Sequence, residues 1–198
     1  MTEPRHDGHA ELGATVVAVS TAEGALHDPA GLDVPALRTA REEHGDDFVT
    51  RHHQGMAVAP GQELTVDCDI LVPAASQDVI DETTAHQIKA KLVVEGANLP
   101  TSPRAQSVLA ERGICLLPDF VANAGGVVAA AFAMDARYSG FRPETSTIFE
   151  TISKRLRANA VTVLEEAQRR ATSPHMAGRG LAEERVRAAM RSKGRIGP

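Results

Sequence analysis

The chain has 198 residues, 42% of them hydrophobic, and a formal net charge of −5 with acidic and basic residues interspersed. That is enough for a domain of about 100–200 residues with a real core, and too apolar for wholesale disorder. The balance argues against a nucleic-acid partner, no apolar run nears the ~18 residues of a membrane span, and Met1 to Asp7 lack the apolar stretch of a secretory signal.

Residues 1–8 are polar and read as a disordered tail. The β-branched run from Ala14 to Val19 predicts a buried strand. Asp28-Pro29-Ala30-Gly31 has turn chemistry, and Asp33 fits the N-cap of a helix that carries Leu37 and Ala40 and ends near Gly45. Residues 46–63 read as irregular. Asp69 to Val72 predicts a second buried strand, 78–90 a helix with Ile80, Ala85 and Ile88 on one side, and Leu92 to Val94 a third strand. Thr101 is the expected N-cap of a helix opened by Pro103 and closed by Gly113. Ile114 to Leu117 predicts a fourth strand, and Asn123 the start of an alanine-rich helix. Cys68 and Cys115, the only cysteines, sit in apolar runs, as expected of buried free thiols in a reducing, cytoplasmic setting.

Short apolar strands alternating with amphipathic helices predict an α/β fold on a parallel sheet. Beyond Pro143 only helices are expected: Ile148, Ile152, Leu156, Ala160 and Leu164 mark one stripe, Gly178-Arg179-Gly180 reads as a turn, and the last helix exposes Arg185, Arg187 and Arg191. The basic end reads as a solvated helix face. The adjacent pair His52-His53 is not expected to bind metal.

Ligands of open α/β sheets bind outside the carboxyl ends of the strands. Four places answer to that rule: Ser20 and Thr21, Pro73-Ala74-Ala75, Glu95 to Asn98, and Asp119 to Gly126. Small residues there leave room for a flat ligand, and Asn98 and Asn123 offer amide groups to a ribose or a carboxamide.

Three ordered segments, Cys68-Asp69-Ile70-Leu71-Val72-Pro73-Ala74-Ala75, Val93-Val94-Glu95-Gly96-Ala97-Asn98 and Pro118-Asp119-Phe120-Val121-Ala122-Asn123-Ala124-Gly125-Gly126-Val127, together resemble the coenzyme domain of the glutamate/leucine/phenylalanine/valine dehydrogenases. The resemblance covers roughly residues 10–192. It implies a Rossmann-like domain over 9–142, with 143–198 a helical segment packed on it. It also implies NAD or NADP as cofactor, an L-amino acid or 2-oxo acid as substrate, and a homo-oligomer in the full-length family. Ser20 and Thr21 would then lie beside the adenosine ribose, Ala74 and Ala75 along the adenine side, Asn98 at the nicotinamide ribose and Asn123 near the reacting carbon. Gly125 and Gly126 would let the backbone approach the ring. Val127 and Ala130 would line the substrate pocket; without a hydroxyl at Ala130, an apolar substrate such as leucine, valine or phenylalanine is expected over glutamate.

The sequence departs from that family in places. No Gly-x-Gly-x-x-Gly follows a strand, so the first strand and its glycine-rich turn are expected to be missing, as from a chain shortened at its start. Lys89, Lys91, Lys154 and Lys193 all lie outside glycine-rich segments, so no catalytic residue is assigned. NAD and NADP both remain open. A non-catalytic remnant, or a module binding a nucleotide or a partner, is the alternative.

Overall fold

The computed structural model describes residues 12–51, 55–140 and 142–195. The expected tail over 1–8 and the pair His52-His53 lie outside them. The chain divides into two compact units. One takes the described residues up to Asp69 together with Gln87–Ala90, and the other takes Ile70–His86 together with Lys91 onward.

The first unit is built on an antiparallel sheet. Strand β1 (Ala18–Thr21) turns through Ala22 and Glu23 into β2 (Gly24–His27), with Thr21 opposite Gly24, and β3 (Met56–Val58) pairs with the other side of β2. The expected buried strand over Ala14 to Val19 is therefore corrected. Pairing begins at Ala18, Ala14 and Thr15 are exposed, and the buried residues are Ala25 and Leu26 of β2. A two-residue connection can only make a hairpin, whereas a parallel neighbour needs a crossover of a dozen residues or more.

Asp33 caps α1 (Val34–His44) as expected, its Oδ1 accepting from the Ala36 N–H at 3.0 Å, and Gly45 ends it at φ +61°. The segment read as irregular holds a short 3₁₀ turn, α2 (Phe48–Arg51), β3 and a second 3₁₀ turn at Gln62–Thr65. Its order comes from burial of Phe48 and Val49 beside Leu26, Leu32 and Leu37, a tertiary cause with no local pattern to betray it.

The second unit holds the parallel sheet of an α/β fold. Strands β4 (Ile70–Leu71), β5 (Leu92–Val94) and β6 (Cys115–Leu117) run in the order β4-β5-β6, flanked by helices. Val93 is fully buried at the centre of β5 and Leu116 nearly so. The expectation of a buried strand over Asp69 to Val72 is corrected. Only two residues pair, on one side, and Ile70 and Val72 remain exposed.

Helix α3 (Glu82–Gln87) is shorter than the 78–90 expected. Asp81 Oδ1 accepts from the Thr84 N–H at 2.7 Å and starts the helix late, because Asp78 is at φ +57° and Ile80 bridges to Thr101. That bridge also corrects the N-cap of α4 (Pro103–Glu111). Ser102 Oγ accepts from the Ala105 N–H at 3.3 Å, while Thr101 is buried opposite Ile80. Pro103 lies in the first turn and Gly113 follows the helix at φ +71°, both as read.

Asn123 does not open a helix. It ends the short α5 (Asp119–Ala122), and α6 (Gly125–Tyr138) begins two residues later. In α7 (Thr145–Arg169) the stripe drifts, with Val163 and Ala167 buried and Leu164 exposed. Steps of four residues overshoot a 3.6-residue turn by about 40° each, so a strict four-residue series leaves the buried face after a few turns. The turn expected at Gly178-Arg179-Gly180 lies inside α8 (Pro174–Ser192), with Ser173 capping and Pro174 in the first turn. Gly178 is needed for packing there: a Cβ on it would lie 2.9 Å from Phe120 Cε2. Among the described residues no helix is long and apolar enough to cross a membrane.

Candidate functional site

Within the second unit, β4, β5 and β6 deliver their carboxyl ends to one edge of the sheet. Backbone hydrogen bonds lock the three tips together. The Pro73 carbonyl accepts from Gly96 N–H at 3.0 Å and Ala97 N–H at 2.9 Å, and the Leu117 carbonyl accepts from Glu95 N–H at 3.1 Å. Ala74 touches the loop after β5 so closely that a Cβ at Gly96 would sit 3.0 Å from its own Cβ. A larger residue at either position would force the tips apart.

Helix α5 closes the far side. Asn123 Nδ2 donates to Asn98 Oδ1 at 2.7 Å, with the Ala97 and Gly96 carbonyls at 3.3 and 3.4 Å. Asp119 Oδ2 accepts from the Leu99 N–H at 2.8 Å, which holds Leu99 at φ +50°, a left-handed backbone costly for a side chain with a Cβ. Glu95, 2% exposed, accepts the Asp119 N–H on Oε2 at 3.0 Å. Burial pushes the Glu95 carboxyl above its ordinary range and the Asp119 carboxylate adds to this, while the Thr101 hydroxyl, the Asp119 N–H and His175 oppose it.

The two residues expected to bind through their amides, Asn98 and Asn123, are thus in direct contact. Ala74 lies against the same loop through Gly96, and Ala75 follows it, exposed. Ser20 and Thr21 do not share this sheet. They end β1 in the other unit, where Thr21 Oγ1 donates to the Asp46 carbonyl at 3.0 Å and accepts from the Glu23 N–H at 3.1 Å. Val127 and Ala130 stand one turn apart on α6, both exposed. Gly125 meets α7: a Cβ there would lie 3.1 Å from Ile152 Cγ2, whereas one at Gly126 would meet nothing within 4 Å.

Sequence reasoning placed Glu95 and Asp119 in the strand-tip segments but gave neither side chain a role of its own. The available signal was an acid closing each apolar run, Val93-Val94-Glu95 and Leu116-Leu117-Pro118-Asp119. Neither cysteine is an activated thiolate. Burial pushes both thiols up, with Asp67 and Asp69 adding to the effect at Cys68. Among the described residues Asn98 Nδ2 and Asn123 Oδ1 take no partner, so the pair keeps one donor group and one acceptor unused.

Known proteins resemble the chain over most of its length. The family model described as Glutamate/Leucine/Phenylalanine/Valine dehydrogenase matches residues 7–194. An NAD-specific glutamate dehydrogenase of Staphylococcus aureus is 39% identical over 184 residues, spanning 93% of this chain and 44% of that protein. The NADP-specific glutamate dehydrogenase A1 of Halobacterium salinarum is 46% identical over 125 residues, 62% of this chain and 29% of that protein. Among solved structures, the hetero-hexameric glutamate dehydrogenase of Thermus thermophilus, in its Leu bound form, superposes with a TM-score of 0.81 at 29% identity, covering 96% of this chain and 44% of that one. The chain therefore spans less than half the length of the relatives it matches.

Proposed function

The chain belongs to the Glutamate/Leucine/Phenylalanine/Valine dehydrogenase family, and from that premise we propose that it forms the coenzyme-binding part of an enzyme oxidatively deaminating an L-amino acid to a 2-oxo acid and ammonium. The observation that carries this reading is the Asn98–Asn123 pair at the carboxyl edge of the parallel sheet. Its free donor and acceptor suit the carboxamide and ribose of NAD or NADP. When bound, the nicotinamide supplies the hydride acceptor. The second unit's own residues bind and orient it: Asn98 and Asn123 at the nicotinamide end, with Ala74 and Ala75 as small walls.

Titration of the chain with NADH and NADPH tests this. Micromolar binding supports a working coenzyme site, and no binding at millimolar cofactor overturns it.

Val127 and Ala130 bring neither hydroxyl nor charge to α6, which supports an apolar substrate. The names of the relatives favour glutamate. Turnover of leucine against glutamate by the enzyme that carries this chain decides between them, and faster glutamate turnover removes the apolar pocket. The same enzyme is expected to assemble from several copies, readable by light scattering.

A second reading, a non-catalytic module binding a nucleotide or partner, draws on α6. Val127, Met134 and Tyr138 are exposed along it, more apolar surface than one lone helix needs in water. Amino-acid turnover by the enzyme excludes this reading.

A further inference from the structure

A carboxylate at the end of a core strand is expensive to bury, and its environment should reveal what it does. Glu95 is 2% exposed. Oε2 holds the Asp119 N–H at 3.0 Å, while Oε1 and the equally buried Thr101 Oγ1 make no well-aligned hydrogen bond. An apolar residue would fit a position next to Val93 and Val94 at lower cost.

The hydrogen bonds around Glu95 form a closed ring. Glu95, at the tip of β5, grips the first residue of α5. Asp119 Oδ2 returns to the Leu99 N–H at 2.8 Å. One turn along, the Asn123 N–H donates to the Asp119 carbonyl at 2.8 Å, and Asn123 Nδ2 closes on Asn98 Oδ1. The loop from Gly96 to Leu99 is thus held from two sides by a helix of four residues, too short to persist unaided. We propose that Glu95 is the positioning residue of the crevice, fixing α5 by its grip on the Asp119 amide and so setting the Asn123 amide against Asn98. For coenzyme binding this rests on the function proposed above; the internal geometry does not.

The groups facing Glu95 are the Asp119 carboxylate on α5, His175 at the start of α8 and the Thr101 hydroxyl. The test uses the whole chain, ¹⁵N-labelled, as wild type, Glu95→Gln and Glu95→Leu, without cofactor. Gln keeps an acceptor for the Asp119 N–H and cannot ionise, whereas Leu fills the volume and removes the acceptor. The wild type is expected to show the Asp119 backbone amide and the Asn123 side-chain amide moving with one shared midpoint as pH is varied. In Glu95→Gln that shared transition disappears while both signals stay near their wild-type places. In Glu95→Leu the Asn123 amide loses its distinct signals, and NADH binding weakens about 10-fold or more, against about twofold or less for Glu95→Gln.

An Asn123 amide that stays fixed while the Asp119 amide titrates overturns the proposal. So does a Glu95→Leu protein with wild-type Asn123 signals. If Glu95→Leu fails to fold, the wild type and Glu95→Gln titrations still decide. A wild type that binds no dinucleotide but shows the coupled titration removes the coenzyme reading and keeps the positioning role. Tight NADH binding unchanged in Glu95→Leu does the reverse.

Discussion

Asn123 Nδ2 donates to Asn98 Oδ1 at 2.7 Å, tying the end of α5 to the loop after β5 across 25 residues of sequence. The same NH₂ group faces the Ala97 and Gly96 carbonyls at 3.3 and 3.4 Å. Every neighbour of that nitrogen is an acceptor, so only a donor belongs there.

Two substitutions separate the amide from mere bulk. Asn123→Ala deletes the donor and is expected to cost about 1 kcal/mol in urea unfolding, a typical net value for such a contact. Asn123→Asp places an acceptor-only carboxylate against three oxygens and is expected to be worse than Ala in stability and NADH affinity alike. Equal effects of Ala and Asp would mean that the amide's donor role is unimportant.

Three glycines should respond differently to one methyl group. Gly178→Ala drives a Cβ to 2.9 Å from Phe120 Cε2 and 3.3 Å from Cζ, with Val163 behind. Overpacking of this kind costs about 1–3 kcal/mol. Gly125→Ala meets Ile152 Cγ2 at 3.1 Å, a looser approach than the one at Gly178, so a smaller loss is expected. Gly126→Ala meets nothing within 4 Å and should be neutral or gain up to about 1 kcal/mol in helix propensity. Thermal unfolding ranks the three. Loss of NADH binding in a stable Gly126→Ala protein would identify Gly126 as the glycine a ligand approaches.

The parallel strands β5 and β6 were legible because strands of a helix-covered parallel sheet read as unbroken apolar runs, and α1 because Asp33 and Gly45 mark its ends locally. The hairpin of β1 and β2 was not: Ala22-Glu23 lacks the usual Asn-Gly signal, and the antiparallel partner of β1 is set by pairing alone. Asn98 and Asn123 could be found from the strand-tip rule. Their mutual contact, and the part played by Glu95 and Asp119, depend on the short α5, whose four residues carry no periodicity to read.

The caps can be ranked by substitution. Asp33→Ala and Ser102→Ala each remove a side-chain acceptor from a helix's first turn, and each is expected to cost about 1 kcal/mol in urea unfolding. Thr101→Val, at the residue first expected to cap α4, removes no acceptor from the first turn of that helix and should cost less than Ser102→Ala. A larger loss for Thr101→Val would mean that its hydroxyl, not that of Ser102, secures this stretch.

Glu95 should also leave a signature in the pH dependence of stability. Burial raises its folded pKa above the unfolded value. Between those two values the folded state binds more protons than the unfolded one, so the Glu95 contribution falls as pH rises through the window. Asp81 and Glu166 act with the opposite sign. The Thr84 amide lowers the Asp81 pKa and Arg169 lowers that of Glu166, so stability from these groups is lost as pH falls below the ordinary carboxylate range. Subtracting the urea-midpoint profile of Glu95→Gln from that of the wild type removes the two shared terms and leaves Glu95 alone. The difference is expected to decline from the ordinary glutamate pKa upward and to level off once Glu95 is ionised in the fold. A flat difference would mean that Thr101, the Asp119 amide and His175 just offset the desolvation of the carboxylate, and one that rises with pH that they outweigh it.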